Sequence, residues 1–456
     1  MKKILIFIAV LTIGMLPAFG QKQYEKGYHI TLTIEGNQDS MMLMGNYFVG
    51  GTYAMDTAYR DKKGNFVFQS KDLPVMPGLY FFANQEGKFV EFLMYHEPMK
   101  KVKFKTKEED WLSNMEVTGS VQNQQFYQYH RAMAKLYEDT NHVEVRVTDS
   151  VKNAFIRKYP DCMLSKMMVA TRPVLVPTIS ETGDSMSNNE RFDYYLHHYW
   201  DNIPLDDDML VRTPAPIFIR PVKDFMDQVL KGAPPSVIMP LLDSTIEKSR
   251  KSPEVFKYLV HTFTEHYLHS NVMVYDEVYV HLVKRYYESG EAYWSSPSVI
   301  DEQVQRAHRW ENILVGKIAP ELIMKDTLGY AHSLYRMRND YKLLVFWSPS
   351  CGHCKTIIPA VNEVYKKWKD TFDIGIYAVL SEPDDYSVVQ WKKIINDKGL
   401  HEGWIHVNGG VANVDWREVY DVHTTPQIFL LDKDNRIIGK RMNAELFDMI
   451  MKSLVK

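Results

Sequence analysis

Two cysteines stand three positions apart in Trp347-Ser348-Pro349-Ser350-Cys351-Gly352-His353-Cys354-Lys355, straight after the apolar run Leu343-Leu344-Val345-Phe346. The run predicts a buried strand, and the Cys-X-X-Cys step after it predicts a turn that opens a helix. Thiols at that spacing can close into a disulfide and reopen. A helix N-terminus stabilises the first of them as the thiolate, which is the reactive species. The chemistry predicted is dithiol–disulfide exchange. Cys351, at the exposed first turn, is expected to be the nucleophile. Cys354, one helical turn further in, is expected to resolve the mixed disulfide. His353, between them, can stabilise the thiolate, lower its pKa and make the disulfide more oxidising.

Other uses of these thiols fit less well. A purely structural disulfide gains little from closing so small a loop. A zinc site needs about four ligands; Cys162 is far away in sequence, and His401, His406 and His423 lack paired spacing. Cys162, in Pro160-Asp161-Cys162-Met163-Leu164 at a helix start, reads as a small, partly buried residue rather than a resolving or regulatory thiol.

The elements that must position the pair belong to a chain of 456 residues, 45% hydrophobic, enough for two or three domains with cores of their own. A formal net charge of −3, without a long run of one sign, argues against a nucleic-acid or membrane-surface binder. Met1-Lys2-Lys3, an apolar run over 4–16 and Ala18-Phe19-Gly20 read as a signal peptide over 1–20, cut before Gln21. The run is short for a membrane anchor, and no later segment is long and apolar enough to span a bilayer. The expected address is the periplasm or cell envelope, with no stable membrane insertion after cleavage. Only three cysteines are present, whereas an exported protein stapled by disulfides would use more, in even number. A redox pair plus one stray thiol fits better.

Between 21 and 119 the pattern favours strands. His29-Ile30-Thr31-Leu32-Thr33-Ile34 alternates with period two, and short runs follow at 41–48, 52–59, 65–69, 79–83, 90–93 and 102–106. Asp61-Lys62-Lys63-Gly64 and Asn84-Gln85-Glu86-Gly87 read as hairpin turns. An antiparallel β-sandwich is predicted, with a binding or docking role. From 120 to 312 the pattern is helical. Ser252-Pro253-Glu254 is an N-cap, a first-turn proline and an early carboxylate, and Phe256, Leu259, Val260 and Phe263 make one apolar face. Helices are also expected at 224–230, 240–248 and 277–288, with a loop over 179–189. Tyr194, Tyr195, Tyr199 and Trp200 read as core aromatics. From 313 to 456 strand and helix alternate: strands at 343–346 and 373–380, helices at 354–369 and 387–397, a hairpin of 427–431 and 436–440, and a last helix capped by Asn443. The architecture expected for this part is an α/β sandwich around a mixed sheet.

This last part resembles the thioredoxin superfamily. The likeness rests on Phe346-Trp347, the Cys351–Cys354 motif, Pro359 inside the following helix, and Thr424-Thr425-Pro426-Gln427 before the hairpin. Gly316-Lys317-Ile318-Ala319-Pro320-Glu321-Leu322-Ile323-Met324 ahead of the first core strand, and the insertion holding 381–399, resemble the exported TlpA-like branch. The whole layout resembles multidomain exported thioredoxin-like proteins of the Bacteroidota. The fold implied is a multidomain chain: an N-terminal antiparallel β-sandwich, an α-helical middle domain and a C-terminal α/β thioredoxin-like fold.

The resemblance implies that Pro426 is a cis-proline whose loop lies against the disulfide and receives extended substrate, with Trp347, Thr425 and Pro426 as the substrate-binding rim. It implies protein disulfide or dithiol substrates, an upstream redox partner and no cofactor. Many thioredoxins have a buried Asp where this chain has Val345. Some TlpA-like proteins use a Glu after the next core strand, and Glu382 lies near that place; it reads equally as that proton acceptor or as a solvated loop acid. Gly352-His353 resembles protein disulfide isomerase, at about −180 mV against about −270 mV for thioredoxin, whereas Thr425 before the proline resembles reducing TlpA-like proteins. The reading is an exported thiol–disulfide oxidoreductase, with reduction the favoured direction and oxidation or isomerisation the alternative. A reading from another class is an envelope binding or scaffold protein whose redox domain is accessory.

Overall fold

The computed structural model describes residues 24–139, 145–326, 328–382 and 384–455; the expected signal peptide lies outside them. The chain forms two compact units, Met1–Gly232 with Pro240–His261 and Ala233–Met239 with Thr262–Lys456.

In the first unit, β1 (Lys26–Glu35), β2 (Met41–Phe48), β3 (Gly51–Tyr59), β4 (Asn65–Pro74), β5 (Gly78–Ala83), β6 (Phe89–Met94), β7 (Val102–Lys107) and β8 (Glu116–Thr118) build two four-stranded sheets, ordered β4-β1-β7-β8 and β3-β2-β5-β6. Strand alternation drives this: β7 buries Val102, Phe104 and Thr106 and exposes the lysines between them. Phe68 and Phe104 of one sheet meet Phe82 and Phe92 of the other, with ring centroids 5.2–5.3 Å apart, and Phe82 stacks on Phe92 at 4.3 Å within its own sheet, so an aromatic layer fills the sandwich. One expectation needs correction. The sandwich is not wholly antiparallel, because β1 and β7 pair in parallel. The two are far apart in the chain, and no hairpin fixes their direction.

Helices come next in the chain: α1 (Val121–Asp139), α2 (Val145–Lys158), α3 (Met163–Ala170), α4 (Asn188–His198), α5 (Ile219–Asp224), α6 (Pro235–Lys248), α7 (Pro253–Leu268), α8 (Asp276–Leu282) and α9 (Pro297–Glu311). Helix α6 begins ahead of the expected start at Pro240, which lies inside it. Pro235 supplies the first-turn proline instead, where a missing N–H costs nothing. The unit boundaries fall inside α6 and α7, so α8 and α9 belong to the same compact body as everything C-terminal to them.

That second body holds β9 (Ile323–Asp326), β10 (Ala331–Ser333), β11 (Tyr341–Trp347), α10 (Gly352–Trp368), β12 (Ile374–Leu380), α11 (Asp385–Asp397), β13 (Trp404–Ala412), α12 (Trp416–Val419), β14 (Gln427–Asp432), β15 (Ile437–Gly439) and α13 (Ala444–Leu454). Its seven-stranded sheet runs β10-β9-β13-β12-β11-β14-β15. The β11, β12 and β13 core is parallel, and β9, β10, β14 and β15 run antiparallel to their neighbours. Buried on both faces, β11 reads as one apolar run. Leu343, Val345 and Trp347 enter a cluster with α10 and α13, while Leu344 and Phe346 join Trp416, Tyr420 and Phe429 on the other face. The C-terminal ends of the parallel strands meet the start of α10, and the pair of thiols sits there.

Candidate active site

Local chemistry sets the start of α10. Cys351 is its N-cap, with φ −71° and ψ 121°, and its sulfur accepts the backbone N–H of Cys354 at 3.4 Å. The Cys351 thiol lies 3.2 Å from the backbone carbonyl of Thr425, to which it donates. The Thr425–Pro426 bond is cis, as the resemblance implied, and both residues are half-buried. Pro359 lies inside α10. His353 is exposed on the first helical turn.

The two thiols have opposite surroundings. Partial burial pushes the Cys351 thiol up, but hydrogen bonds from the Thr425 side chain, the Cys354 thiol and the backbone N–H groups of Cys354 and His353 outweigh it. Cys351 therefore titrates below the ordinary cysteine value. Cys354 is 1% exposed, and its burial pushes the thiol up to about 12. All three cysteines of the chain are free thiols.

Trp347 lies differently from what the sequence suggests, and Glu382 stands exposed in a loop, one of the two readings open to it. Trp347 is 2% exposed and packs in the same cluster as Cys354 and Val345, so it forms the floor beneath the pair rather than its rim. It is the last residue of a strand buried on both faces, which leaves its ring no route to solvent. Among the described residues its indole N–H has no hydrogen-bond partner. The carboxylate of Glu382 is tied to the loop ahead of Cys351. It accepts from Ser348 Oγ at 2.6 Å and from Ser350 Oγ, and these two bonds hold it below the usual carboxylate range. Val345 places an apolar side chain in the cluster that surrounds Cys354.

The sequence alone does not single out the two serines, although a signal exists. Strands β11 and β12 are parallel, with Trp347 opposite Leu380, so the residues just beyond each strand must meet. Ser348 and Ser350 also touch each other at 2.7 Å. The result is a tied loop, Ser348-Pro349-Ser350, leading straight into Cys351. A second residue that sequence reasoning misses is Asp421, ahead of the Thr425 loop; its partners Arg309 and Trp310 lie more than a hundred residues away in sequence.

The arrangement supplies a partly exposed thiol that ionises more readily than an ordinary cysteine, a second thiol shielded beneath it, and the half-buried Thr425 beside the first sulfur. That is what stepwise thiol–disulfide exchange needs.

Comparison with known proteins matches most of the chain in three pieces. A sequence model of the AhpC/TSA family matches residues 315–439, and two domains of unknown function, DUF5106 and DUF4369, match 138–313 and 28–126. The thiol-disulfide oxidoreductase ResA of Bacillus anthracis is 29% identical over 140 residues, 30% of this chain and 76% of that protein. ResA of Geobacillus kaustophilus is 29% identical over 126 residues, 27% of this chain and 67% of that protein. Among solved structures, a thioredoxin-like protein from Bacteroides caccae is 17% identical, covering 62% of this chain and 99% of that one, with TM-score 0.48. A domain of a possible thiol-disulfide isomerase from Cytophaga hutchinsonii is 34% identical, covering 31% of this chain and 92% of that one, with TM-score 0.28.

Proposed function

Because residues 315–439 are a thioredoxin-like domain of the AhpC/TSA family, homologous to ResA-type thiol-disulfide oxidoreductases, we propose that the protein is an exported enzyme that reduces disulfide bonds in proteins. The observation that carries this reading is the asymmetry of the pair. Cys351 is half-exposed and titrates low, whereas Cys354 is buried and held protonated to about 12.

The steps come from that asymmetry. The Cys351 thiolate attacks one sulfur of a substrate disulfide. A Cys351–substrate disulfide forms, and the other substrate sulfur leaves as a thiolate that takes a proton from water. The mixed disulfide brings substrate backbone against the edge at Thr425 and Pro426. Cys354 then attacks the Cys351 sulfur, the mixed bond breaks, and the second substrate sulfur departs. An ordinary thiol near 8.5 is a stronger acid than Cys354, so Cys354 surrenders its proton only as the leaving thiolate develops and can receive it. Val345 cannot take a proton, and this step does not require the serine-bound Glu382 as a base. The substrate has gained two electrons and two protons, and the Cys351–Cys354 disulfide is returned to dithiol by an upstream thiol partner.

His353 sets the potential rather than the steps. His353→Pro is expected to lower the reduction potential of the pair in a glutathione redox titration. Export is supported by the leader-like Met1-Lys2-Lys3 and apolar 4–16 segment. Among the described residues no helix is long and apolar enough to cross a membrane. The test is reduction of a protein disulfide with dithiothreitol as electron source. Activity well above that of Cys351→Ser is expected; activity equal to it would remove the enzymatic reading and leave binding or scaffolding. Mixed disulfides captured in the cell envelope by Cys354→Ser would identify the substrates, and their absence there would refute export.

A further inference from the structure

The loop that faces Cys351 is held from outside the segment that resembles a redox domain. Helix α9 ends in His308, Arg309, Trp310 and Glu311. Arg309 Nε donates to Asp421 Oδ1 at 2.6 Å, and the Trp310 indole N–H donates to Asp421 Oδ2 at 2.6 Å. Both carboxylate oxygens are thus engaged by α9, and His423 Nε2 also lies 3.1 Å from Oδ1. Burial raises the Asp421 carboxyl, but these bonds outweigh it and leave it below the usual range. Asp421 has φ +51°, in the left-handed region that few residues other than glycine adopt. Such a backbone persists where its surroundings over-determine it.

The grip has a second point. Asp276, at the start of α8, is 2% exposed and pairs with Lys440, itself 3% exposed, and with Arg441 at 2.6 Å. Arg441 also has a left-handed backbone, at φ +53°. The two cations lie 5.7 and 5.8 Å from the Trp310 ring, which packs on Tyr279 of α8 at 4.8 Å. The β14–β15 hairpin begins one residue after Pro426, so it is clasped before its first strand and after its second, at two left-handed residues, by α8 and α9.

We infer that Asp421 is a positioning residue of the redox site: locked to Arg309 and Trp310, it fixes the bend from which residues 422–426 run, and hence the place of Thr425 opposite the Cys351 sulfur. The last two helices of the middle region thereby act on the reactivity of Cys351 without touching it. This rests on the thiol-exchange reading of Cys351.

The test uses full-length protein and follows iodoacetamide labelling of the Cys351 peptide by mass spectrometry against pH, beside protein-disulfide reduction kinetics. Asp421→Asn keeps the size of the side chain and tolerates the left-handed backbone, but loses the charge. It is expected to move the labelling midpoint upward, slow labelling near neutral pH roughly two- to thirtyfold, and raise KM more than it lowers kcat. Trp310→Phe removes the indole donor, together with the five-membered ring, but keeps an aromatic side chain, and is expected to shift the profile in the same direction by less. Arg309→Lys, which keeps the cation, is expected to stay nearer wild type than Arg309→Gln. A lowered melting temperature with unchanged labelling profile and unchanged KM and kcat would make Asp421 a structural staple only and overturn the inference. If Asp421→Asn does not fold, Trp310→Phe decides in the same way. Failure of the parent reading looks different: wild type would reduce no more disulfide than Cys351→Ser, while the labelling profile would still respond to Asp421→Asn.

Discussion

Cys162 and Cys351 occupy the same kind of backbone position and have opposite chemistry. Each is the N-cap of a helix, with φ −67° and ψ 134° at Cys162 and φ −71° and ψ 121° at Cys351. Each therefore meets the positive end of a helix dipole. Cys162 is buried, its side chain makes no cap hydrogen bond, and burial pushes its thiol up despite the backbone N–H groups of Leu164 and Ser165. Cys351 is half-exposed, accepts the Cys354 N–H and titrates low. A helix N-terminus alone does not make a reactive cysteine. Access to solvent and the hydrogen bonds that reach the sulfur, from the Thr425 side chain as well as from the first turn of the helix, decide the sign.

The sharpest way to break the comparison is to remove each sulfur in turn. Cys351→Ser is expected to lower protein-disulfide reduction by at least about a thousandfold, because serine is neither ionised nor able to form the mixed disulfide. Cys162→Ala is expected to leave the rate within about twofold, since nothing in the exchange passes through it. A large loss in Cys162→Ala with the fold intact would undo the contrast. Labelling gives the next largest effect. In native protein near neutral pH, iodoacetamide is expected to modify Cys351 at least about a hundredfold faster than Cys162, with the difference vanishing in denaturant.

Alkaline stability separates the groups by sign. A thiol whose folded pKa is raised keeps its proton while the unfolded chain ionises. The stability it contributes is therefore whole below the ordinary thiol value and is lost as pH climbs toward the folded pKa, about 12 for Cys354. Cys162 acts in the same direction. Cys351, with a lowered folded pKa, contributes stability that is present above the ordinary thiol value and lost as pH falls through its folded one. Unfolding free energies from urea titrations between pH 8 and 10 are expected to fall less steeply in Cys354→Ala than in wild type, by about 1 kcal/mol per pH unit once past the unfolded pKa. Equal slopes would show that Cys354 is not held protonated. The smallest effect is expected at the tied loop: Glu382→Gln should change the rate of resolution by no more than about tenfold, the span of one or two hydrogen bonds. A larger loss with a new pH dependence would restore Glu382 as the proton acceptor.

These contrasts also mark how far the sequence can be read. The strand–turn–helix at 343–368 is legible because every signal is local: an apolar run, a cysteine that caps, and a helix with one apolar face. The sandwich strands are legible from alternation and from turns such as Asp61-Lys62-Lys63-Gly64, where Gly64 has φ +82° and the Asp61 carboxylate accepts three hydrogen bonds from Lys63 and Asn65. Strand β13 escapes such a reading, since its Gly409-Gly410 break looks like a loop until β12 and β9 pair with it. Trp347 is misleading because its type suggests a surface aromatic beside a motif, and only the two-sided cover of β11 shows it to be core. The serine ties to Glu382 and the anchoring of Asp421 depend on which chain ends meet in space, and no period or spacing carries that.

The sequence pattern reads the middle helices as one domain ending at 312, and a family boundary also falls at 313, but α8 and α9 fold with the C-terminal sheet. The Asp276–Lys440–Arg441 cluster shows what that means for inheritance. Its acid lies in one recognisable family segment, and its two bases lie just past the end of another, which closes at 439. A gene exchange cut at 314 would carry away the bases and leave the acid behind, so each half would lose the counter-charge that makes its own buried ion tolerable. The compact body that holds the redox pair is therefore longer than the segment that sequence comparison recognises, and it takes in α8, α9 and the end of α7.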